Sequence, residues 1–366
     1  MRLEQFFPSR TVAWYMARMF LVRTFVVVAG LVLILQTLDL LSTSGDILAY
    51  HGNGQAQIWH YITLRAPQII AFVLPFSVLL GTIITLATMN QNSEIVALKA
   101  SGLSAHQVLA PLIIAGLGVA ALSFAFNDRV VTRATATLTQ WQNVNYGPLP
   151  IDRGDRSNVW VRNGDDLIEV QQVSGKEDAA KLGGVTDFDR QDGRLINIVS
   201  APRGERRGSG WLIGPTVSHF NVAAGTLSQT GPMVIGNGVR PDQLTLANID
   251  ADGLSFEALR TAIADLHAAG RPTTDLEGSL WHKLSSPLSA ALMPLLGAVA
   301  AFGIARSGKL FIRAVIGMAL GFAYFVADNF ALAMGNLGAY PPFLAAWAPF
   351  LLFLLIGEAV LIRTEE

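Results

Sequence analysis

NSEIVALKASGLS, residues 92–104, reads as a short polar-edged helix between two long apolar segments. Asn92 and Ser93 are N-cap residue types, and Glu94 falls in the first turn, where the helix dipole favours an anion. Ile95, Leu98 and Leu103 form a thin apolar stripe, while Ala97 and Ala100 keep the body slim. Gly102 is placed to supply a left-handed stop, and Ser104 with Gln107 has capping-box spacing for the next helix. The segment is too short and too polar to cross a bilayer. Two readings are open here. It is a stiff surface element that passes force to the membrane helices on either side, or an ordinary inter-helix loop with helical character.

Working outward, the neighbouring segments are membrane spans. Apolar residues make up 51% of the chain and charged residues only 14%, with mean hydropathy +0.42, which excludes disorder and indicates an integral membrane protein. The formal net charge of −1 is near zero, so nothing suggests a nucleic-acid partner. With no cysteine, disulfides and thiolate zinc sites are ruled out. The first span is Met19–Leu41, uncleaved, with Arg23 one turn in and Gln36 and Asp39 in the far half. A polar loop is expected over Ser42–Arg65. The second span is Ala66–Met89, interrupted by Pro67 and Pro75, and the third is His106–Phe126, rich in small residues that allow close packing. Ser285–Ile304, Ala314–Met334 and Phe343–Ile362 complete six spans, with Pro287 and Pro294 in the fourth and Asp328 in the fifth.

Between the third and fourth spans the chain turns polar, from Asn127 to about His282. Asn127–Gln142 continues the third span as a helix, with Arg129 and Arg133 at i, i+4 spacing. Short β-type runs follow. Val159–Arg162 and Asp166–Val173 flank Asn163-Gly164, a strong hairpin signal, and Val185–Arg190 and Leu195–Ser200 flank Asp192-Gly193. Trp211–Val222 pairs in the same way with Thr226–Thr230, and Gly204–Gly210 reads as a solvated turn. Such spacing indicates a sandwich or barrel. Ser255–Ala269 is an amphipathic helix capped by Ser255. The expected domains are residues 1–126 with the surface helix 92–104, an all-β domain over 127–282 with helix 255–269, and 283–366.

Basic residues cluster before the first span, at Lys99, in the Arg306–Arg313 turn and at Arg363. The positive-inside rule therefore puts both termini and residues 92–104 in the cytoplasm and the β domain outside. No P-loop, G-x-S-x-G elbow or metal-ligand spacing occurs, so the energy for any work comes from elsewhere. Gln36, Asp39, Asp328 and Glu358 are the polar residues within spans. Asp39 and Glu358 lie near span ends, where solvation at the interface is an equal alternative. Asp328 lies deeper, facing protein or an aqueous cavity, and as a lone carboxylate it makes a poor proton relay.

These features together resemble the permease subunits of the lipopolysaccharide export ABC transporter, the LptF/LptG family, over nearly the whole chain. Ser93-Glu94-Ile95-Val96-Ala97-Leu98-Lys99-Ala100-Ser101-Gly102-Leu103-Ser104 fits the family's cytoplasmic helix. Trp281-His282-Lys283-Leu284-Ser285-Ser286-Pro287-Leu288-Ser289 fits its fourth-span motif, and Arg306-Ser307 fits the following turn. The tryptophan motif and Leu38-Asp39 look closer to LptG than to LptF.

The resemblance implies an α-helical integral membrane protein with six transmembrane helices and a periplasmic β-jellyroll between the third and fourth. It implies a heterodimer with a second permease of the family on a cytoplasmic LptB-like ATPase dimer, which holds the ATP and Mg; this chain needs no cofactor and is not an enzyme. It implies inner-membrane lipopolysaccharide as substrate, passed to LptC-like and LptA-like periplasmic jellyrolls toward the outer membrane. Ser93, Glu94, Leu98, Lys99, Ala100 and Gly102 then belong to the ATPase-coupling helix. Gln36, Asp39, Arg129, Arg133 and Asp328 are the substrate-path candidates. Some relatives carry Lys in the outer half of the first span where this chain has Gln36, so Arg129 and Arg133 are the alternative cations for a lipid phosphate.

Two other classes compete. A membrane scaffold whose β domain binds envelope-assembly partners needs neither a coupling helix nor polar residues in spans. An ion-driven secondary transporter wants paired intramembrane charges, which the sequence does not display. Co-purification with an ATPase discriminates the first reading from both.

Overall fold

The computed structural model describes residues 9–148, 156–174, 180–191, 193–239, 250–268, 272–303 and 310–365. It divides into a helical unit, Met1–Gly147 with Ala251–Thr261 and Thr273–Glu366, and a β unit, Pro148–Asp250 with Ala262–Pro272. The boundaries expected at 127 and 282 thus move inward, because the third and fourth spans both continue as helix well past their apolar stretches.

In the helical unit, α1 spans Arg10–Ala49 and α2 spans Gln55–Gln91. The polar loop expected over Ser42–Arg65 therefore shrinks to residues 50–54. Hydroxyls explain the difference. Thr37 Oγ1 donates to Leu33 O and Ser42 Oγ to Asp39 O, so these side chains satisfy themselves on the helix and do not end it. The extension also has a core of its own, with Ile47 of α1 buried among Tyr61, Leu138 and Trp141. Within α2, Ser77, Thr82 and Thr85 make the same backward bonds at 2.7–2.9 Å, and Pro67 and Pro75 are accommodated inside the helix. Gly81 lets α1 approach closely: a Cβ there would collide with the side chain of Thr24.

The short α3 is Glu94–Ala100. α4 (Ala105–Phe126), a π-turn at Asn127–Val131 and α5 (Thr132–Asn143) then form one continuous rod. α6 is Phe256–Ala268, α7 is Thr274–Ala298 followed by a π-turn at Val299–Gly303, α8 is Leu310–Asn336 and α9 is Pro342–Glu365. Six of these segments are long and apolar enough to cross a membrane: α1, α2, the α4–α5 rod, α7, α8 and α9. Their shared core includes Phe20, Leu79, Ile83, Leu112, Met293 and Leu296. α7 is the central helix, with 78% of its apolar window buried against 11% for α1. Of the basic turn expected over Arg306–Arg313, residues 306–309 lie outside the described residues, and 310–313 are already the first turn of α8.

Among the described residues the β unit holds an eight-stranded, wholly antiparallel sheet. β1 (Arg156–Asn163), β2 (Asp166–Ser174), β3 (Lys181–Gln191) and β4 (Arg194–Arg207) are successive hairpin partners. β5 (Gly210–Gly214), β6 (Val217–Asn221), β7 (Thr226–Thr230) and β8 (Met233–Ile235) complete it. The hairpin expected at Asn163-Gly164 forms one residue along: Asn163 pairs with Asp166, so Gly164, at φ +65°, and Asp165 make the two-residue turn. Long β4 pairs with β6 through residues 197–200 and with β5 through residues 203–207 on the same edge, so the sheet curls around one core containing Val170, Val185, Trp211 and Ile213.

Two expectations are corrected in this unit. Gly204–Gly210 is mostly strand and not a solvated turn: Arg206 donates to Val239 O at 2.6 Å and its guanidinium lies 5.4 Å from the Trp211 ring, which gives the residue tertiary partners. The run Trp211–Val222 is two strands, because Pro215 carries no N–H for the ladder.

Candidate functional site

Every joint of α3 is hydrogen-bonded, so the helix has little slack. Asn92 N donates to Thr88 O, Ala97 N to Ser93 O, Gly102 N to Lys99 O and Leu103 N to Leu98 O. Gly102 adopts φ +89°, and Ser104 with Gln107 forms the full capping box of α4. The N-cap differs from expectation. Ser93 sits at φ +60° and its hydroxyl caps nothing; the two-residue step from α2 to α3 requires a reversal there. Asn92 Nδ2 reaches Glu94 Oε1 at 3.1 Å instead. Tyr15 OH of α1 donates to the same oxygen at 3.3 Å, which ties α3 to α1. Lys99 and Ala100 are exposed, Leu98 is half-buried, and Val96 is 60% exposed. Val96 was missed by the sequence reading. An apolar side chain at the tip of an otherwise polar helix is the signal that marks it.

The three carboxylates of the spans are paired. Asp39 Oδ1 accepts from Arg65 Nε at 3.1 Å and Nη2 at 3.0 Å, and its Oδ2 accepts from Tyr61 OH at 2.7 Å. Asp328 is not the lone carboxylate that the sequence suggested: His282 Nε2 of α7 lies 2.9 Å from its Oδ2. Glu358 of α9 lies 3.2 Å from His106 Nε2 of α4. Asp328 Oδ1 and both polar atoms of the Gln36 amide are buried without a protein partner among the described residues. Arg23 donates to Ile84 O of α2 at 2.9 Å, a second tie between α1 and α2.

Arg129 and Arg133 are exposed, Arg129 on the π-turn and Arg133 on α5, and neither guanidinium has a protein partner among the described residues. Asp128, which precedes them, is occupied otherwise, accepting from Phe256 N at 2.6 Å. Neither arginine lines the polar cavity of about 480 Å³ that opens beside them. Its walls come from α2, the α4–α5 rod and α7, and include Arg65, Gln68, Thr135, Asp128, His282 and Lys283. Gln68 Nε2 bonds Thr135 Oγ1 at 3.0 Å across it. The structure therefore brings Asp39 and Asp328 to the rim of one cavity through their partners Arg65 and His282, and leaves Gln36, Arg129 and Arg133 outside it. Among the described residues no His, Asp or Glu cluster has the geometry to hold a metal ion.

The family model described as lipopolysaccharide export system permease LptF/LptG matches residues 14–363. The chain is similar to the lipopolysaccharide export system permease protein LptG of Escherichia coli (strain K12), 25% identical over 309 residues, covering 83% of this chain and 84% of that protein. It is similar also to LptG of Haemophilus influenzae, 23% identical over 328 residues, covering 86% and 89%. That match spans all six apolar segments, α3 and the β unit between the third and fourth of them, and the chain belongs to the LptF/LptG family of lipopolysaccharide export system permeases.

Proposed function

We propose that this chain is the LptG-type subunit of an ATP-driven exporter that lifts lipopolysaccharide from the inner membrane and delivers it to a periplasmic jellyroll bridge. The ATP and its Mg sit in a separate LptB-like dimer, and a second LptF-type permease completes the membrane part. Both termini and α3 are cytoplasmic and the β unit is periplasmic, as the Lys and Arg asymmetry supports.

The observation that carries this reading is the Glu94–Tyr15 contact. α3 presents Val96, Lys99 and Ala100 for docking, while Glu94 hands motion to α1, which is held to α2 by Arg23 and by the Asp39–Arg65 pair. A displacement of α3 thus reaches the helix with the least buried surface in the unit. At the far end, Arg129 and Arg133 offer unpaired cations to the anionic sugars of the substrate, each charge-assisted hydrogen bond contributing about 1.5–3 kcal/mol.

The test is reconstitution with the partner permease and the ATPase. Glu94→Lys is expected to abolish ATPase association or coupling with insertion unchanged. Arg129→Glu/Arg133→Glu is expected to reduce photocrosslinking of lipopolysaccharide while the ATPase stays bound. If the chain never co-purifies with an ATPase, the export reading fails; unchanged crosslinking in the double variant removes the two arginines alone.

A further inference from the structure

α7 and α8 run antiparallel, and three contacts set their register. Gly278 lies against Leu332 and Asn336, His282 Nε2 lies 2.9 Å from Asp328 Oδ2, and Ala300 of the π-turn lies against Gly317. On this register Ser285 of α7 is level with the turn between Tyr324 and Asp328 of α8, and Ser289 is level with Tyr324. The four side chains are sealed from outside: Ser285 is 0% exposed, Ser289 3%, Tyr324 4% and Asp328 7%. Tyr324 OH is near enough to interact with the Asp328 charge and with the Ser289 hydroxyl.

Three oxygens of this interface have no protein partner among the described residues: Ser285 Oγ, Tyr324 OH and Asp328 Oδ1. Ser289 Oγ donates to Ser286 O at 2.6 Å and keeps its lone pairs. Buried polar atoms are nearly always bonded, because a bare one carries the full desolvation cost of its group. The carboxylate is the most demanding. His282 serves Oδ2 only, and a charge within a span is tolerated when its other lone pairs are satisfied as well. The three groups are too far apart to bond to one another and close enough to share a partner. That partner must donate to Asp328 Oδ1 and accept from Ser285 Oγ and Tyr324 OH. A water molecule does all three at once and has a second proton for Ser289 Oγ. A cation would have to share the carboxylate with His282 and would leave both hydroxyl protons without an acceptor.

We infer that α7 and α8 enclose an internal water site, in which one resident water bridges Asp328 Oδ1, Ser285 Oγ and Tyr324 OH and lets Asp328 stay charged within its span. His282 also lines the polar cavity of about 480 Å³, so it stands between that cavity and Asp328 and gives the water a route of exchange. The inference rests on the six helices spanning a membrane and stands whether or not the chain exports lipopolysaccharide.

The test uses the full chain in nanodiscs with any subunits that accompany it. A cryo-EM map that shows ordered water elsewhere in the helical unit is expected to show a peak about 2.6–3.2 Å from Asp328 Oδ1 and from at least one of the two hydroxyls. Tyr324→Phe and Ser285→Ala then give a test of sign. Removing a bare buried hydroxyl relieves a penalty and raises the melting temperature; removing one that holds a water lowers it, here by about 2–4 °C for each variant. Because both hydroxyls hold the same water, the double variant is expected to lose less than the sum of the two. Melting is expected to be the same in sodium, potassium and choline chloride at equal ionic strength. A map without the peak, a rise in melting temperature with Tyr324→Phe, or strictly additive losses would overturn the inference. So would a stabilisation by sodium or potassium that disappears in Asp328→Asn, which would assign the site to a cation.

Discussion

Asp187 is a carboxylate on the core face of β3, and replacing it with Asn should stabilise the β unit at neutral pH. Its register partners are Ile168 on β2 and Val199 on β4, both buried, and Asp187 itself is 8% exposed. Its Oδ1 has no protein partner among the described residues. Burial, with Asp166 and Asp189 nearby, raises its pKa from the ordinary 3.8 to about 6. Those neighbours do not relieve it: Asp189 is held by Asn197 and Asp166 by Arg190 N. A carboxyl whose pKa is raised on folding binds more protons folded than unfolded, so stability falls as pH rises between the two values and the full penalty persists above the higher one. The interval from 3.8 to about 6 corresponds to roughly 3 kcal/mol at 1.36 kcal/mol per unit, and water reaching the outer oxygen lowers this to between about 1 and 3 kcal/mol. Asp187→Asn keeps the volume and removes the charge. Hydrogen exchange on β2–β4 in the intact protein should show wild-type protection falling from about pH 4 to about pH 6 and a flat profile in the variant. A folded variant no better protected than wild type at neutral pH, or an unchanged slope, would refute the argument.

Gly81→Val should force α1 away from α2 through the collision with Thr24, costing about 1–3 kcal/mol; loss of thermal stability in detergent, or its absence, decides. Gly102→Val places a β-branched residue at φ +89°, a strain of about 1–3 kcal/mol, and ATPase association measured by pull-down should fall. Asp39→Asn should cost about 1–2 kcal/mol, since the Arg65 side chain is 35% exposed and water replaces part of the pair; a double-mutant cycle with Arg65→Gln should show a coupling that vanishes if the pair is incidental.

Local signals were legible wherever a residue type answers to its own backbone. Gly164 turns the β1–β2 hairpin at positive φ, and Gly102 ends α3 in the same way. Ser255 caps α6 through Ala258 N, as its position suggested. What local pattern missed depends on partners distant in sequence. Ser42–Ala49 reads as loop by composition, yet Ile47 is buried against Trp141, almost a hundred positions away. Arg206 reads as a turn residue until Val239 and Trp211 are beside it. Asp328 looked solitary because His282 lies on another helix, 46 positions before it.

The pairing bears on mechanism as well as on reading. Each of the three carboxylates sits beside a cation or histidine on a different helix: Asp39 of α1 with Arg65 of α2, Asp328 of α8 with His282 of α7, and Glu358 of α9 with His106 of α4. Paired charges in spans are what an ion-driven transporter would also require, so the pairs alone do not discriminate. Placement does. Each pair bridges two helices, and α7 is packed into the middle of the unit. α1 presents a long apolar face, including Phe25, Leu33 and Leu41, each more than two-thirds exposed. Crosslinks that fix neighbouring helices can carry a push from α3 across the bundle, and the helix that receives it through Tyr15 is the one with the most surface left to engage lipid or another subunit. Under the proposed function, in which a separate ATPase drives export, that push requires such a division between a braced bundle and an open helix.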